Sequence, residues 1–391
     1  MTRVYADHAA TTRPAPEVLD AMAPWSGERF GNASSVHARG EAAREAVEGA
    51  RVEVARLLGA QPEEIVFTAS GSEANNLALK GALAALAGPE RRRIVTGATE
   101  HNSVLETARF LETRGFALTV LPVRPNGQVD PETLAAALGP DVALVSLMAV
   151  NNETGVVHPV AELGLHAKQA GALFHVDAVQ AAGKLPIAVD AWQADLLTIA
   201  GHKFHGPVGA AALFVRRRTR LVPQVHGGHQ ERGRRAGTEN VAAIAGLGAA
   251  ALRAREALAA GAAQRVAALA ERLLAGLLAA MPETRLNGDL NQRVGGILNV
   301  CFAGVDGEAV LHELDRAGVE VSTGSACSAA DPGPSPVLVA MGLRPEDAHA
   351  SVRFSLGESN TQEEIEHVCK VTPPIVERLR ALGGAAMERS A

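Results

Sequence analysis

The sequence predicts an α/β fold, in which helices cover a mostly parallel sheet, with a smaller α+β domain after it. From about residue 40 onward, short apolar runs alternate with segments of helical spacing. The apolar runs are nearly continuous, which is typical of parallel strands buried on both faces. The chain has 391 residues, of which 47% are hydrophobic, so it can form one large domain and a smaller one.

The first clear helix is predicted at residues 41–58, where apolar residues recur at helical spacing. An apolar run that ends at a turn follows this helix, and the same pattern repeats along the chain. The predicted strands are residues 64–68, 93–96, 142–147, 173–176 and 196–199. Because ligands of parallel sheets bind at the carboxyl ends of the strands, polar residues directly after these runs are candidate site residues.

The C-terminal part changes in pattern. Residues 240–280 are alanine-rich and predict a connecting helix, and strand-like runs follow at 296–300 and 350–355. Residues 331–336 contain three prolines and predict a loop. We therefore expect a large domain at residues 15–257 and a small domain formed by residues 1–14 and 258–391.

Composition excludes several classes of function. The net charge of −6 gives no basic surface for nucleic acid. No apolar stretch of about 18 residues predicts a membrane span, and the N-terminus lacks the apolar core of a signal peptide. Three scattered cysteines form neither a disulfide framework nor a zinc pattern. We expect a cytoplasmic protein without a metal site.

Lys203 is the strongest candidate for chemistry. It lies among glycines and histidines directly after an apolar strand, where a ligand could reach it, and the chain has only five lysines. A lysine that bonds covalently to a carbonyl must be neutral, which requires burial or a nearby positive charge. A lysine on a surface turn is the alternative interpretation.

Asp177 follows the predicted strand 173–176, and Lys203 follows the next predicted strand, 196–199. One strand–helix–strand step would therefore bring both residues to the same sheet edge. Pyridoxal phosphate (PLP) needs a carboxylate against its ring nitrogen, so that the ring can accept electrons. The alternative is that Asp177 caps a following helix. Gln180 could contact the ring hydroxyl.

Residues 68–75 predict a strand that turns through glycine and serine into a helix. Backbone N–H groups of Gly71 and Ser72 could bind a phosphate at the helix start. Ser70 and Glu73 also have the spacing of a capping box, which is compatible with phosphate binding.

His101 and Asn152 follow two further predicted strands. His101 could stack on a cofactor ring and transfer protons, or it could simply start a helix. Asn152 could bind the ring hydroxyl, or it could be an ordinary turn residue.

Together the motifs resemble bacterial cysteine desulfurases of the iron–sulfur-assembly type, in the class-V aminotransferase family. The resemblance spans residues 4–382, and its motifs occur in order at 5–12, 99–101, 150–155, 175–177, 201–203, 231–233, 237–238, 324–327 and 352–357. It implies PLP fold type I with a mostly parallel seven-stranded sheet, and a homodimer. One departure is Ala200, where the family often has a serine whose hydroxyl joins the phosphate site.

The resemblance also implies roles for single residues. Gly71, Ser72 and His202 would hold the phosphate, and Thr238 would reach the phosphate of the neighbouring subunit. Asn152 and Arg353 would bind the substrate, L-cysteine, and Arg353 would hold its carboxylate. Arg353 also interrupts an apolar strand, so it needs an anionic partner, which a structural ion pair could supply instead.

Cys327 is the predicted sulfur acceptor. It lies in a run of small residues, whereas Cys301 lies in a strand-like run and Cys369 on a predicted helix. Exposed cysteines react and packed ones do not. In the implied mechanism, Lys203 holds PLP and then removes the Cα proton, His101 is a candidate acid–base, and Cys327 receives the sulfur as a persulfide while L-alanine is released.

Two other functions remain open at this stage. A selenocysteine lyase or another class-V aminotransferase-like enzyme would not need Cys327. A catalytically inactive sulfur carrier or scaffold would not need Lys203 and Asp177. The expected sulfur acceptor is a protein such as an iron–sulfur scaffold, although residues 388–391 do not resemble the scaffold-docking tail of some relatives.

Overall fold

The computed structural model describes residues 3–86, 90–323 and 333–388, with the side chains of 383–388 left undescribed. Its strands are β1 (Val4–Tyr5), β2 (Ile65–Thr68), β3 (Arg93–Gly97), β4 (Ala117–Leu121), β5 (Val142–Met148), β6 (Leu173–Asp177), β7 (Leu196–Ala200), β8 (Ala211–Val215), β9 (Thr284–Asn287), β10 (Ile297–Phe302), β11 (Val319–Glu320) and β12 (Ser351–Ser355).

The α-helices alternate with the strands through the first two thirds of the chain. They are α1 (Pro16–Met22), α2 (Ala38–Leu58), α3 (Gly71–Asn76), α4 (Ala82–Ala84), α5 (Asn102–Glu112), α6 (Pro131–Ala137), α7 (Val160–Gln169), α8 (Val241–Ala259), α9 (Ala262–Ala280), α10 (Gly307–Arg316), α11 (Pro336–Ala340), α12 (Pro345–His349) and α13 (Gln362–Glu388). A π-helical turn, Leu77–Gly81, joins α3 to α4, so helical structure is continuous from Gly71 to Ala84.

The central sheet has seven strands in the order β2-β8-β7-β6-β5-β3-β4. Only β8 runs antiparallel to its neighbours, and the other pairings are parallel. The α/β class and the mostly parallel seven-stranded sheet are therefore confirmed. Strands β5, β7 and β8 are buried along their whole length, as near-continuous apolar runs predict.

A second, three-stranded sheet with the order β12-β10-β9 lies in the C-terminal part. It packs with α9, α10 and α13 around a separate apolar cluster that includes Leu277, Phe302 and Phe354. Val4 and Ala6 of the N-terminal segment belong to the same cluster. The N-terminal segment therefore packs with the C-terminal part, while the domain bounds 15–257, 1–14 and 258–391 stay a prediction.

Three sequence expectations need correction. The alanine-rich region holds two helices, because Gly261 adopts a left-handed φ of 78° between α8 and α9. Pro336 starts α11 instead of ending a loop, and proline is tolerated at a first helical position. The connection from β6 to β7 contains turns but no helix, yet it still returns the chain to the same sheet edge.

Candidate active site

The carboxyl ends of the parallel strands open onto one cleft of about 370 Å³. The cleft is lined by nearly all the residues that the sequence singles out for the cofactor and substrate. They are Gly71, Ser72, His101, Asn152, Asp177, Gln180, His202, Lys203 and Arg353. The central sheet brings most of them together because β2, β3, β5, β6 and β7 each deliver one loop to this edge, and Arg353 reaches the cleft from β12 of the second sheet.

Asp177 ends β6 as a buried carboxylate, and it has neutral hydrogen-bond partners. The Asn75 side chain donates to its Oδ2 at 2.8 Å, and the Val179 backbone N–H donates to its Oδ1 at 3.0 Å. Within residues 3–86, 90–323 and 333–388, no lysine or arginine forms an ion pair with it. A buried carboxylate without a cation is available to a cationic group of a ligand in the cleft.

A short polar network connects Asp177 to His101. Asn75 also donates to Ser103 Oγ at 2.9 Å, and Ser103 Oγ lies 2.8 Å from His101 Nδ1. The Ser103 backbone N–H donates to the same Nδ1 at 3.1 Å, so Nδ1 is an acceptor and the neutral ring carries its proton on Nε2. His101 is therefore both the N-cap of α5 and a cleft residue.

Lys203 directs its amine toward the N-terminal segment. Its Nζ donates to the carbonyl oxygens of Ala9 at 2.7 Å and Ala10 at 2.8 Å. Gln180 donates to the same Ala9 oxygen at 2.8 Å. Ala9 and Ala10 thus form part of the cleft wall, and just beyond them the Thr12 backbone N–H donates to the His202 carbonyl at 2.8 Å.

The start of α3 has the features of a phosphate-binding site. Ser70 caps the helix by accepting from the Glu73 N–H at 3.1 Å, which is one of the two bonds of the predicted capping box. The Glu73 carboxylate accepts from the Ala69 N–H at 2.9 Å, one residue before the N-cap, so the second bond of the box is not formed. A Cβ on Gly71 would lie only 3.1 Å from Val179 Cγ2 and 3.4 Å from Ala200 Cβ. The absence of a side chain at Gly71 therefore lets the backbone lie close to the sheet edge.

His202 adds a neutral imidazole to this side of the cleft. Burial, together with the positive charges of Lys203 and Lys184, lowers the pKa of His202 to about 4. One ring nitrogen, Nδ1, lies 3.2 Å from Thr11 Oγ1. The imidazole is therefore neutral, and its second nitrogen, Nε2, can contact a ligand. This arrangement fits the predicted contact with a phosphate.

Arg353 lies on β12 with only 2% of its surface exposed, and its anionic partner is Asp7. Its guanidinium forms an ion pair of 2.7 Å with Asp7 Oδ1 and donates to the Asn152 carbonyl at 2.8 Å. The ion-pair interpretation is thus correct for this residue. Arg353 also lines the cleft, so the same guanidinium can contact a ligand.

Two buried acids in the cleft were missed by sequence reasoning. Glu100 accepts from the Met148 N–H at 3.0 Å, and burial, with Asp177 adding to it, raises the pKa of Glu100 well above its usual value. Glu153 accepts from Ser335 Oγ at 2.6 Å, and burial raises its pKa as well. Both stand beside predicted site residues in the sequence, which is the one signal that could have found them.

These residues fit PLP. The cleft offers an amine at Lys203, a buried carboxylate without a cation at Asp177, a side-chain-free helix start at Gly71, and an imidazole at His101. Those groups match the aldehyde, ring nitrogen, phosphate and ring face of PLP.

The family profile described as aminotransferase class-V matches residues 4–368 of this sequence. The chain belongs to the class-V aminotransferase family. It is 48% identical to cysteine desulfurase 2 of Trichormus variabilis over 382 residues, which cover 98% of this chain and 95% of that protein. It is 49% identical to the cysteine desulfurase IscS of Anaeromyxobacter sp., covering 97% of this chain and 94% of that one.

Solved structures agree with the class-V aminotransferase assignment. A NifS-like protein superimposes with a TM-score of 0.91 and 35% identity, covering 97% of this chain and 100% of the other. The structure titled "SspA in complex with cysteine" has a TM-score of 0.81 and 36% identity, covering 92% of this chain and 100% of the other.

One predicted residue of this class-V aminotransferase lies apart from the cleft, and another is outside the described residues. Thr238 is exposed and does not line the cleft of its own chain. Cys327 lies outside the described residues, whereas Cys301 is buried and Cys369 is partly buried. Burial raises the pKa of the Cys369 thiol, which disfavours the reactive thiolate there.

Proposed function

We propose that this protein is a cysteine desulfurase, which uses PLP to remove the sulfur of L-cysteine, releases L-alanine and leaves a persulfide on Cys327. The observation that carries this proposal is a cleft holding Lys203 and Asp177 in a chain 48% identical to a cysteine desulfurase over 98% of its length. An inactive carrier or scaffold would have no need for this pair of residues.

Lys203 and Asp177 would hold the cofactor, with Gly71, Ser72 and His202 at its phosphate and Asn152 and Gln180 at its ring hydroxyl. When bound, PLP supplies an aldehyde that bonds amines and a ring that accepts electrons. Asp177 would keep a proton on the ring nitrogen. Ala200 offers no hydroxyl to the phosphate, so the helix start and His202 would carry more of that contact.

Arg353 would bind the substrate carboxylate. Asp7 and the Asn152 carbonyl already fix its guanidinium, so it is oriented before the substrate arrives. Lys203 Nζ would then take the Cα proton, and His101 Nε2–H would serve as an acid close to the substrate sulfur. The Cys327 thiolate would bond to that sulfur as the Cβ–Sγ bond breaks, and Cβ would gain a proton. Lys203 Nζ would then return a proton to Cα, which completes L-alanine.

Replacing Lys203 tests the cofactor assignment. We expect Lys203→Ala to lose the borohydride-reducible bond to PLP and to make L-alanine at least about a thousand-fold more slowly, because the amine that bonds PLP and takes the Cα proton is removed. Mass spectrometry of the reduced protein and an alanine assay measure the two effects. Lys370→Met, at an exposed position on α13, is the control. A reducible bond retained in Lys203→Ala would mean that another lysine holds the cofactor.

We further propose a homodimer with shared sites, a cytoplasmic location, and an iron–sulfur scaffold as sulfur acceptor. The exposure of Thr238, away from its own chain's cleft, supports a role at the neighbouring subunit's phosphate. In the part of the chain that the structure describes, no helix is long and apolar enough to cross a membrane.

Subunit mixing tests the shared site. Lys203→Ala and Thr238→Val are each expected to be weakly active at low PLP concentration. Mixed dimers would contain one site with both residues intact, so mixing should restore activity well above that of either variant. Light scattering gives the mass, and a fully active monomer would contradict the homodimer.

A further inference from the structure

Lys184 is a second lysine beside the cleft lysine, and the roles given to the cofactor site do not use it. It lies in the turn region between β6 and β7. Its Nζ donates to Gln180 Oε1 at 3.2 Å and to the Lys203 backbone carbonyl at 3.3 Å. Lys184 thus contacts two residues of the site directly.

The hydrogen bonds of these three residues converge on the N-terminal segment. Gln180 accepts from Lys184 through Oε1 and donates to the Ala9 carbonyl through Nε2 at 2.8 Å. Lys203 Nζ donates to the same carbonyl at 2.7 Å. Lys184 therefore orients the Gln180 amide, because an ammonium group can only donate hydrogen bonds and so must face the amide oxygen.

Lys184 has no compensating carboxylate in the described residues. Burial, with the positive charges of Lys203 and Arg353, lowers the pKa of Lys184 to about 7. Lysines placed in protein interiors are normally paired. A buried amine without a carboxylate partner, bonded to the Lys203 backbone and subject to the positive charge of Lys203, therefore has a cost that a purely structural role does not explain.

The titratable and charged groups around the two amines carry charges of both signs. Arg353 approaches from β12, and His202 is adjacent to Lys203 in the chain. On the far side, a small second cavity of about 60 Å³ is lined by Lys184, His8, His205 and the Arg253–Glu358 ion pair. The pKa of His8 is lowered to about 4 by burial, so its ring is neutral. Among the carboxylates, Glu358 is paired with Arg253 and Asp7 with Arg353. On the Lys203 side, Asp177, Glu100 and Glu153 line the cleft, and within the described residues none of them forms an ion pair with Lys184.

We propose that Lys184 is a positioning residue that holds the Gln180 amide and, as a second amine close by, favours the neutral form of the Lys203 amine. This inference rests on the proposed role of Lys203. A lysine bonds to a carbonyl, or takes a proton, only when neutral, and a nearby cation is one of the means that lowers its proton affinity. Two coupled amines share their protons, so removing one raises the proton affinity of the other.

Labelling of the cofactor-free protein tests this inference. Lys203 would be acetylated with acetic anhydride across a pH series, and mass spectrometry of its peptide would give the pH at which half-maximal reactivity is reached. Lys184→Met removes the second amine while keeping the length of the side chain. We expect the Lys203 midpoint to rise by about one pH unit.

Two variants complete the design. Lys184→Arg keeps a donor and carries a positive charge at every pH of the series, so the Lys203 midpoint should stay at or below that of the parent. Lys370→Met changes an exposed lysine and should leave it unchanged. If Lys184→Met does not fold, Lys184→Gln replaces it. An unaltered midpoint in a folded variant that lacks the Lys184 amine would overturn the inference.

The labelling needs neither PLP nor cysteine, so its outcome is separate from that of the proposed function. The desulfurase proposal fails if Lys203→Ala still produces L-alanine, whatever the labelling midpoint is. In the PLP-loaded enzyme, the visible absorption of the bound cofactor should also titrate at a higher pH in Lys184→Met than in the parent.

Discussion

At the residue scale, hydrogen bonds and ion pairs between segments far apart in the chain orient the chemical groups of the cleft. Lys203, Asp177 and His101 could be found because each follows an apolar strand. The bridge from Asp177 through Asn75 and Ser103 to His101 joins positions far apart in the chain, and only tertiary packing brings them together. The Asp7 partner of Arg353 could not be found for the same reason.

The role of Cys327 gives a prediction at this scale. We expect Cys327→Ser to lower L-alanine formation from L-cysteine by at least about a hundred-fold, because serine keeps the size but lacks the thiolate nucleophile. The residues proposed to hold PLP do not include Cys327, so the cofactor spectrum should be retained and should still respond to added cysteine. The measurement is an alanine assay read beside the absorption spectrum.

Matched controls come from the other two cysteines. Cys301→Ser and Cys369→Ser should keep most of the activity, apart from a loss of stability at the buried Cys301. Near-parental alanine and sulfide production by Cys327→Ser would exclude the persulfide mechanism. A lyase without protein-bound sulfur, such as the selenocysteine lyase alternative, would then be the better assignment.

At the element scale, the position of a strand in the sheet did not alone decide whether it was predicted: β8 is buried at every position but was missed, whereas the edge strand β2 was predicted. Strand β5 is buried at every position, and its apolar run in the sequence predicts it. Strand β4 lies at the sheet edge with a mixed pattern of exposure, so periodicity did not reveal it. No helix forms between β6 and β7, where Gly183 adopts a φ of 75° and Pro186 follows.

The start of α3 gives a prediction at this scale. In Gly71→Ala the new Cβ would be crowded by Val179 and Ala200, so the helix start must shift by a few tenths of an ångström. We expect the affinity for PLP to fall about ten-fold, which corresponds to about 1.4 kcal/mol, with little loss of stability. Titration of the cofactor-free protein with PLP measures the effect.

Gly49→Ala is the matched control, since a Cβ at this position of α2 meets nothing within 4 Å. It should leave the affinity for PLP unchanged. Parental affinity in Gly71→Ala would show that the phosphate does not depend on this helix start.

At the scale of the whole molecule, the fold class could be predicted because strands that are buried on both faces have nearly continuous apolar sequences. The N-terminal segment packs into the C-terminal apolar cluster, but neither composition nor periodicity predicts this contact. It was expected only through the predicted domain bounds, which group residues 1–14 with residues 258–391. The cleft depends on that joining, because the Ala9 and Ala10 carbonyls that receive Lys203 come from the N-terminal segment.

Buried histidines predict how the stability of the whole chain depends on pH. Burial lowers the pKa values of His158 and His175 to about 4. Above pH of about 6.5 each ring is neutral whether the chain is folded or unfolded, so it makes no contribution. Between about 6.5 and about 4 only the unfolded chain takes up the proton, so stability falls as pH falls, by up to about 1.4 kcal/mol per pH unit for each histidine.

His158→Gln isolates one of these protons. Glutamine can still accept the hydrogen bond that His158 Nδ1 receives from the Val129 N–H at 3.1 Å, but it does not titrate. Buried acids with raised pKa values, such as Glu100, act with the opposite sign, so the difference between variants is the informative quantity. We expect the fall in unfolding free energy between pH 6.5 and 4.5, measured by urea unfolding, to be smaller in His158→Gln than in the parent by the contribution of about one proton.

His312→Gln, at an exposed position, should follow the parent. Equal pH slopes in His158→Gln and the parent would mean that the buried imidazole is already protonated in the folded chain.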